Sequence, residues 1–273
     1  MRSPFVRSII VLAAVLGVSG VAMAQGPAPG SKASMYDGNR LKPEWPTGGP
    51  APVRDLSGHW AGNLTPRRGE VPPLTPLGQE LDALILSEPD VGTGFSNDPM
   101  NTCDPFGIPR SLVFETRGVS FATMPNQIAI LQQYQRVWRY VWMDGRPLPT
   151  EFDTADGVPS RYYGYSSGRW EGDHTLVIDT VGLSPNTWLD KAGNPHSVNM
   201  HVEERYERID HNHMMMTVTV TDPEIFGRDP WVLSRNEYRW IPDQESEEQL
   251  CVPSEMIRYM ELIANPSFHP AEQ

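Results

Sequence analysis

HVEERYERIDHNHMMMTVTVT, residues 201–221, decides the fold. β-Branched and aromatic side chains recur at period two on both sides of an Asp210 to Asn212 turn, as expected of two antiparallel strands. In the first half Val202, Glu204, Tyr206 and Arg208 share one face, and His201, Glu203, Arg205 and Glu207 share the other. The second set reads as a solvated charge ladder. The first mixes apolar and polar groups, so if it faces a core it buries Glu204, which then needs Arg208 or another cation.

Outward from this hairpin the same texture continues. SLVFE, SFATM, IAILQQY, RVWRYVWM, RYYGYS, HTLVIDTV and WVLSRNEYRW are further strand-like runs. They are separated by turn residues such as Pro125-Asn126, Asp144-Gly145 and Gly172-Asp173. Short connections favour antiparallel neighbours; the exception is a long polar loop from Asp144 to Ser160. With the short strand ending in Trp60, roughly nine or ten strands result, enough for an antiparallel up-and-down barrel or a curved half-barrel. The expected class is therefore mainly β, with short helical straps. One strap begins at the Thr75-Pro76 cap and carries Leu77, Leu81, Leu84 and Ile85 on one face to about Ser87. The other covers residues 253–264, with Ser254 as its cap.

The chain opens with MRSPFVR, an apolar run, and Ala22-Met23-Ala24. This reads as a Sec-type signal peptide over residues 1–24, cleaved after Ala24, and implies a soluble periplasmic or extracellular protein. Residues 25–54 read as a flexible Pro/Gly-rich leader, 55–264 as a single β-rich domain and 265–273 as a tail. The formal charge of −12 and the lack of a Lys/Arg cluster argue against nucleic acid or an anionic membrane as a partner. Cys103 and Cys251 are the two cysteines, and in an oxidising compartment an isolated pair is most simply a disulfide.

Gly58-His59-Trp60 at the start of an antiparallel meander resembles the G-x-W opening of lipocalin-like (calycin) barrels. In those barrels the tryptophan closes one end and a late-strand arginine packs on it, a part that falls here to Arg235 or Arg239. Longer stretches, NDPMNTCDPFGIPR, GRWEGDHTLVIDTVG, TWLDKAGNPHS and VEERYERID, are similar to those of a group of uncharacterised exported bacterial proteins. That second resemblance implies architecture and no mechanism.

Chemistry concentrates between Asn186 and Tyr206. Asp190 and His196 share a loop that Gly193-Asn194-Pro195 can fold back, so a carboxylate orienting an imidazole, as general base catalysis requires, is one reading. A turn-capping Asp190 and a His196 bonded to backbone is the other. Glu204 beside Tyr206 on an inward face is an acid/base candidate, and an internal Glu–Arg pair is its structural counterpart. Trp138, Tyr140 and Trp142 share a strand face, Tyr163 and Tyr165 another, and with Trp188 they suit stacking on an aromatic or sugar ring. Asp104 and Arg110 flank Cys103 as turn caps or contacts for an anion. His196, His201, His211, His213 and Glu203 lack the spacing of a metal site, so neither metal nor cofactor is expected.

Two functions follow. One is a cofactor-free enzyme (lyase, isomerase or hydrolase) acting on a small organic molecule, with His196 as base, Asp190 as its orienter, and Glu204 or Tyr206 as acid. The alternative is a lipocalin-like carrier or binding protein that uses the same aromatic cavity, with the loop Thr187 to Ser197 at its mouth.

Overall fold

A computed structural model of the chain describes residues 48–62, 67–86, 96–114, 118–242, 244, 248–259 and 262. The expected signal peptide, most of the leader and the tail lie outside the described residues.

The strands are β1 (Gly58–Gly62), β2 (Arg67–Arg68), β3 (Val119–Met124), β4 (Gln127–Gln132), β5 (Val137–Trp142), β6 (Tyr165–Glu171), β7 (Thr175–Val181), β8 (His201–Arg208), β9 (His213–Asp222) and β10 (Gly227–Trp240). They form one sheet in the order β1-β3-β4-β5-β6-β7-β8-β9-β10-β2, and β1 also pairs with β10. That last ladder sets Trp60 opposite Trp240 and closes a nine-stranded barrel, with β2 added outside the ring on β10.

The expected antiparallel order holds at every junction of the ring but one. β5 and β6 run parallel and meet at a single register pair, Trp142 opposite Ser167. An odd number of strands cannot alternate in direction all the way round a closed ring, so one such junction is obligatory. Parallel neighbours need a crossover of roughly a dozen residues or more. The polar loop at Asp144 to Ser160 belongs to that crossover, which runs over residues 143–164.

Period-two burial along β8 and β9 turns Val202, Glu204, Tyr206 and Arg208 inward beside Met214, Met216, Val218 and Val220. Trp60, Phe121, Ile130, Ile178 and Tyr238 complete a packed interior. His201 and Glu203 face outward. There His201 Nε2 meets Asp179 at 2.8 Å, within a ladder that includes Arg169, Glu171 and Arg205.

Trp60 is fully buried, and its indole donates to the Leu56 carbonyl at 2.8 Å. The arginine over its ring is Arg208, 4.9 Å from the centroid, rather than Arg235 or Arg239. From Ser234 onward the buried positions of β10 are Ser234, Asn236 and Tyr238, so alternation carries Arg235 and Arg239 to the outer face. Arg208 lies on the inward face of β8, where it also donates to the carbonyls of Asp55 and His211.

Three expectations change locally. The described part of SLVFE, Ser111 to Phe114, is not a strand: Arg110–Val113 is a helical turn, α2, whose Leu112 and Val113 enter the core. RYYGYS becomes strand only from Tyr165. The first strap, α1 (Pro76–Asp82), keeps its Thr75 cap, which accepts from the Gly78 amide at 3.1 Å, but ends earlier than expected. Its buried face centres on Gly78, where a Cβ would stand 2.7 Å from the Ile225 carbonyl oxygen, and Leu77 and Leu84 are exposed. The last strap is α3 (Pro253–Tyr259), and order begins before Asp55, because Gly49 accepts from the His211 amide and Arg54 donates to the Asp173 carbonyl.

Cys103 and Cys251 are bonded, with Cα atoms 5.4 Å apart. The bond joins the segment preceding α3 to a 3-10 turn at Pro99–Thr102, which Arg110 also holds through a bidentate pair with Asp98 at 2.7 and 2.5 Å. That guanidinium is 1% exposed and lies 4.6 Å from the centre of the Phe106 ring. Replacing both cysteines with serine is expected to lower unfolding free energy by about 2–5 kcal/mol. Denaturant titration measures this, and unchanged midpoints would contradict a stabilising role for the bond.

Candidate functional site

The loop between β7 and β8 does not bring Asp190 to His196. The Asp190 carboxylate caps its own turn: Oδ1 accepts from the amides of Ala192 and Asn194, and Oδ2 accepts from the Asn194 side chain at 2.9 Å. His196 is 2% exposed, and both its ring nitrogens are engaged elsewhere. Nδ1 lies 3.0 Å from the Ser197 carbonyl, which can only accept, so this nitrogen carries the proton. Nε2 lies 2.8 Å from the Thr187 hydroxyl, which also stands 3.1 Å from the Ser184 carbonyl and has one proton for the two. Burial holds the imidazole below its ordinary 6.5, against the opposing pull of Ser197 and Asp222. The neighbouring Ser197 is bound through amide and hydroxyl to Asp222 at 2.7 and 2.8 Å, so the loop is a fastened cap on the barrel. Trp188 belongs to this cap, 8% exposed, with the Arg110 guanidinium 5.4 Å from its ring centre.

Glu204 and Tyr206 do converge, on a partner that the sequence reading did not name. Arg139 of β5 forms a bidentate pair with Glu204 at 2.5 and 2.7 Å, and the Tyr206 hydroxyl donates to Glu204 Oε2 at 2.8 Å. Burial alone would lower the Arg139 guanidinium; the charge and hydrogen bonds of Glu204 reverse this and keep it a cation. Burial and the adjacent Glu204 charge push Tyr206 well above its ordinary value, so the phenol keeps its proton. Every carboxylate oxygen of Glu204 has a donor, which suits a structural ion pair better than a proton-transfer group. The overlooked signal was alternation within RVWRYVWM: Arg139 lies between Val137 and Val141 on the inward face, as Glu204 lies between Val202 and Tyr206.

The same alternation places Trp138, Tyr140 and Trp142 on the outer wall, so the aromatic set does not line an interior cavity. Trp138 and Tyr140 are 55% and 54% exposed. Beside them β5 and β6 diverge from their single register pair, and the gap forms a groove of about 710 Å³. This lies within the roughly 300–1,000 Å³ usual for small-molecule sites. Its lining gathers five of the six expected aromatic residues: Trp138, Tyr140, Trp142, Tyr163 and Tyr165. Arg139 and Ser166, whose side chains turn inward, also border it, so the groove reaches the seam between the strands.

Two of these rings are covered. Arg146, paired with Asp144, lies 3.3 Å from the centre of the Trp142 ring. Tyr165 has the Arg161 guanidinium 4.2 Å from its centre and Phe152 stacked at 6.4 Å, and its hydroxyl donates to the Pro159 carbonyl. Burial raises the Tyr163 phenol to about 12, with the Gly107 amide opposing.

Comparison with family models, curated proteins and solved structures finds no match to the chain.

Removing one member of the Arg139–Glu204 pair strands a buried charge, so Glu204→Leu or Arg139→Met alone is expected to cost about 3–5 kcal/mol, and the double variant far less. Chemical denaturation of all three decides; additive losses would mean that the two residues do not act as a pair. Burial lowers the His196 pKa in the folded chain, so as pH falls through about 6.5 the unfolded chain takes up a proton before the fold does. Stability therefore falls as pH drops through about 6.5 and below, until the folded imidazole takes up its own proton, with a slope from this residue of at most ~1.4 kcal/mol per pH unit. In His196→Gln that slope should flatten in urea titrations; an identical slope would refute a neutral His196.

Proposed function

We propose that this chain is an exported, non-catalytic binding protein whose outer-wall groove holds a small planar organic molecule. The observation that carries this reading is the groove itself, which brings Trp138, Tyr140, Trp142, Tyr163 and Tyr165 to one opening of small-molecule size. Trp138 and Tyr140 show their faces to solvent, where stacking on a ligand removes apolar area from water. Acid/base catalysis has less support, because Asp190 and His196 are bonded into the loop and Glu204 is saturated. Export is supported by the N-terminal sequence and by the disulfide, which is compatible with an oxidising compartment. Among the described residues no helix is long and apolar enough to cross a membrane.

Titration of tryptophan fluorescence with aromatic and glycosidic compounds tests the reading. Trp138→Ala and Tyr140→Ala should each weaken a positive ligand by roughly 5- to 30-fold, about 1–2 kcal/mol, without shifting the unfolding midpoint. Binding unaffected by both variants would place the ligand elsewhere, and turnover of a ligand lost in His196→Ala would restore the enzyme reading.

A further inference from the structure

The groove carries cations in a chain of net charge −12. Arg139, Arg146 and Arg161 all border it, and among the described residues no Asp or Glu does. Two of these guanidiniums already hold a carboxylate: Arg139 holds Glu204, and Arg146 holds Asp144, which stands behind it. Arg161 is the exception. It is exposed at the rim, its guanidinium rests on the Tyr165 ring, and among the described residues it has no acidic partner. Arg139 contributes a second unmet donor: its side chain is 3% exposed, and its Nε is buried without a hydrogen-bond partner.

The stacking surface is equally specific. Trp142 is covered by Arg146 and Tyr165 by Arg161 and Phe152; of the other lining rings Tyr163 is half-buried and Tyr162 less exposed, which leaves Trp138 and Tyr140 as the two most open to solvent. They are two residues apart on one strand face, hence about 6.6 Å apart along β5. A planar ring sandwiched between two others needs roughly 7 Å between them, close to the spacing at which the strand sets the two side chains out from the backbone. Arg161 borders the same groove as these two rings.

From this we propose that the ligand is a planar aromatic carboxylate. Its ring inserts between Trp138 and Tyr140, and its carboxylate is held in bidentate fashion by Arg161. Guanidinium suits that role because its fork of donors matches both carboxylate oxygens. The inference rests on the binding reading above and sharpens it to one chemical class.

Calorimetry on the mature protein with 2-naphthoate, its neutral amide 2-naphthamide, and cyclohexanecarboxylate tests it. Naphthoate should bind about tenfold or more tighter than either comparator, as expected for one charge-assisted bidentate contact and one stacked ring. In Arg161→Gln the preference over naphthamide should collapse while naphthamide binding is retained. In Trp138→Ala both aromatic compounds should weaken together. Equal affinity for naphthoate and naphthamide overturns the carboxylate assignment and leaves the groove reading standing. Cyclohexanecarboxylate binding as well as naphthoate overturns the aromatic assignment, and an unaltered preference in Arg161→Gln removes that residue from the site. Failure of all three compounds to bind overturns this inference, while the broader binding reading is decided separately by the fluorescence titration with other aromatic and glycosidic compounds.

Discussion

A closed ring of nine strands must contain a parallel neighbour, and much of this molecule follows from where that neighbour falls. It falls between β5 and β6. A parallel pair cannot be joined by a tight turn, so the chain spends residues 143–164 on a crossover that contains no helix to cover the sheet. The ladder there is reduced to one register pair, the strands splay, and the crossover and the outer face of β5 enclose a space instead of packing shut. The groove is thus the geometric residue of an odd strand number.

What the backbone does not hold at this seam, side chains hold from inside. Arg139 starts on β5, touches Thr180 of β7 at 3.4 Å, and ends on Glu204 of β8; Ser166 of β6 joins through Thr180 at 2.9 Å. One polar chain therefore spans the four strands on either side of the weak ladder. A buried ion pair adds little net stability over an apolar pair of the same shape, since desolvation offsets much of the attraction. Its contribution lies in register. Only one alignment of β5 against β8 satisfies both guanidinium nitrogens and both carboxylate oxygens, which compensates for a junction that one register pair defines poorly.

Much of the barrel was legible because period-two patterning is local: β3 to β5 and β7 to β10 can each be read from their own residues, whereas β6, expected at RYYGYS, lies mostly beyond it at Tyr165–Glu171. The long loop at Asp144 was visible as an exception among short turns, yet the parity that explains it appears only once the ring is known to close. Misreadings came where local propensity met tertiary context. SLVFE has one β-branched and one aromatic residue, Val113 and Phe114, but the close packing of Leu112 and Val113 into the core selects a helical turn. At the candidate site, residue types were easier to find than their partners. Asp190 and His196 are near in sequence, and the backbone amides and carbonyls of their own loop outcompete the pairing of one with the other. Arg139 and Glu204 are far apart in sequence, and no spacing rule joins them, though each shows as a charge on an apolar face. The aromatic set was recognisable, but whether it faced inward depended on which face of β5 carried Arg139.

The seam also writes an order of assembly into the chain. β3 to β5 form one arc and β6 to β10 another, and within each arc neighbouring strands are neighbours in sequence. Two joints then make the barrel: the seam, and β1, which must find both β3 and β10 from the far end of the domain. Pairings between distant segments bear a larger loop-closure entropy and form late. The arcs therefore behave as two prefabricated half-shells. Trp60, arriving with β1, is the keystone that locks them, and opening the shell again means withdrawing the side chain on which both ends converge.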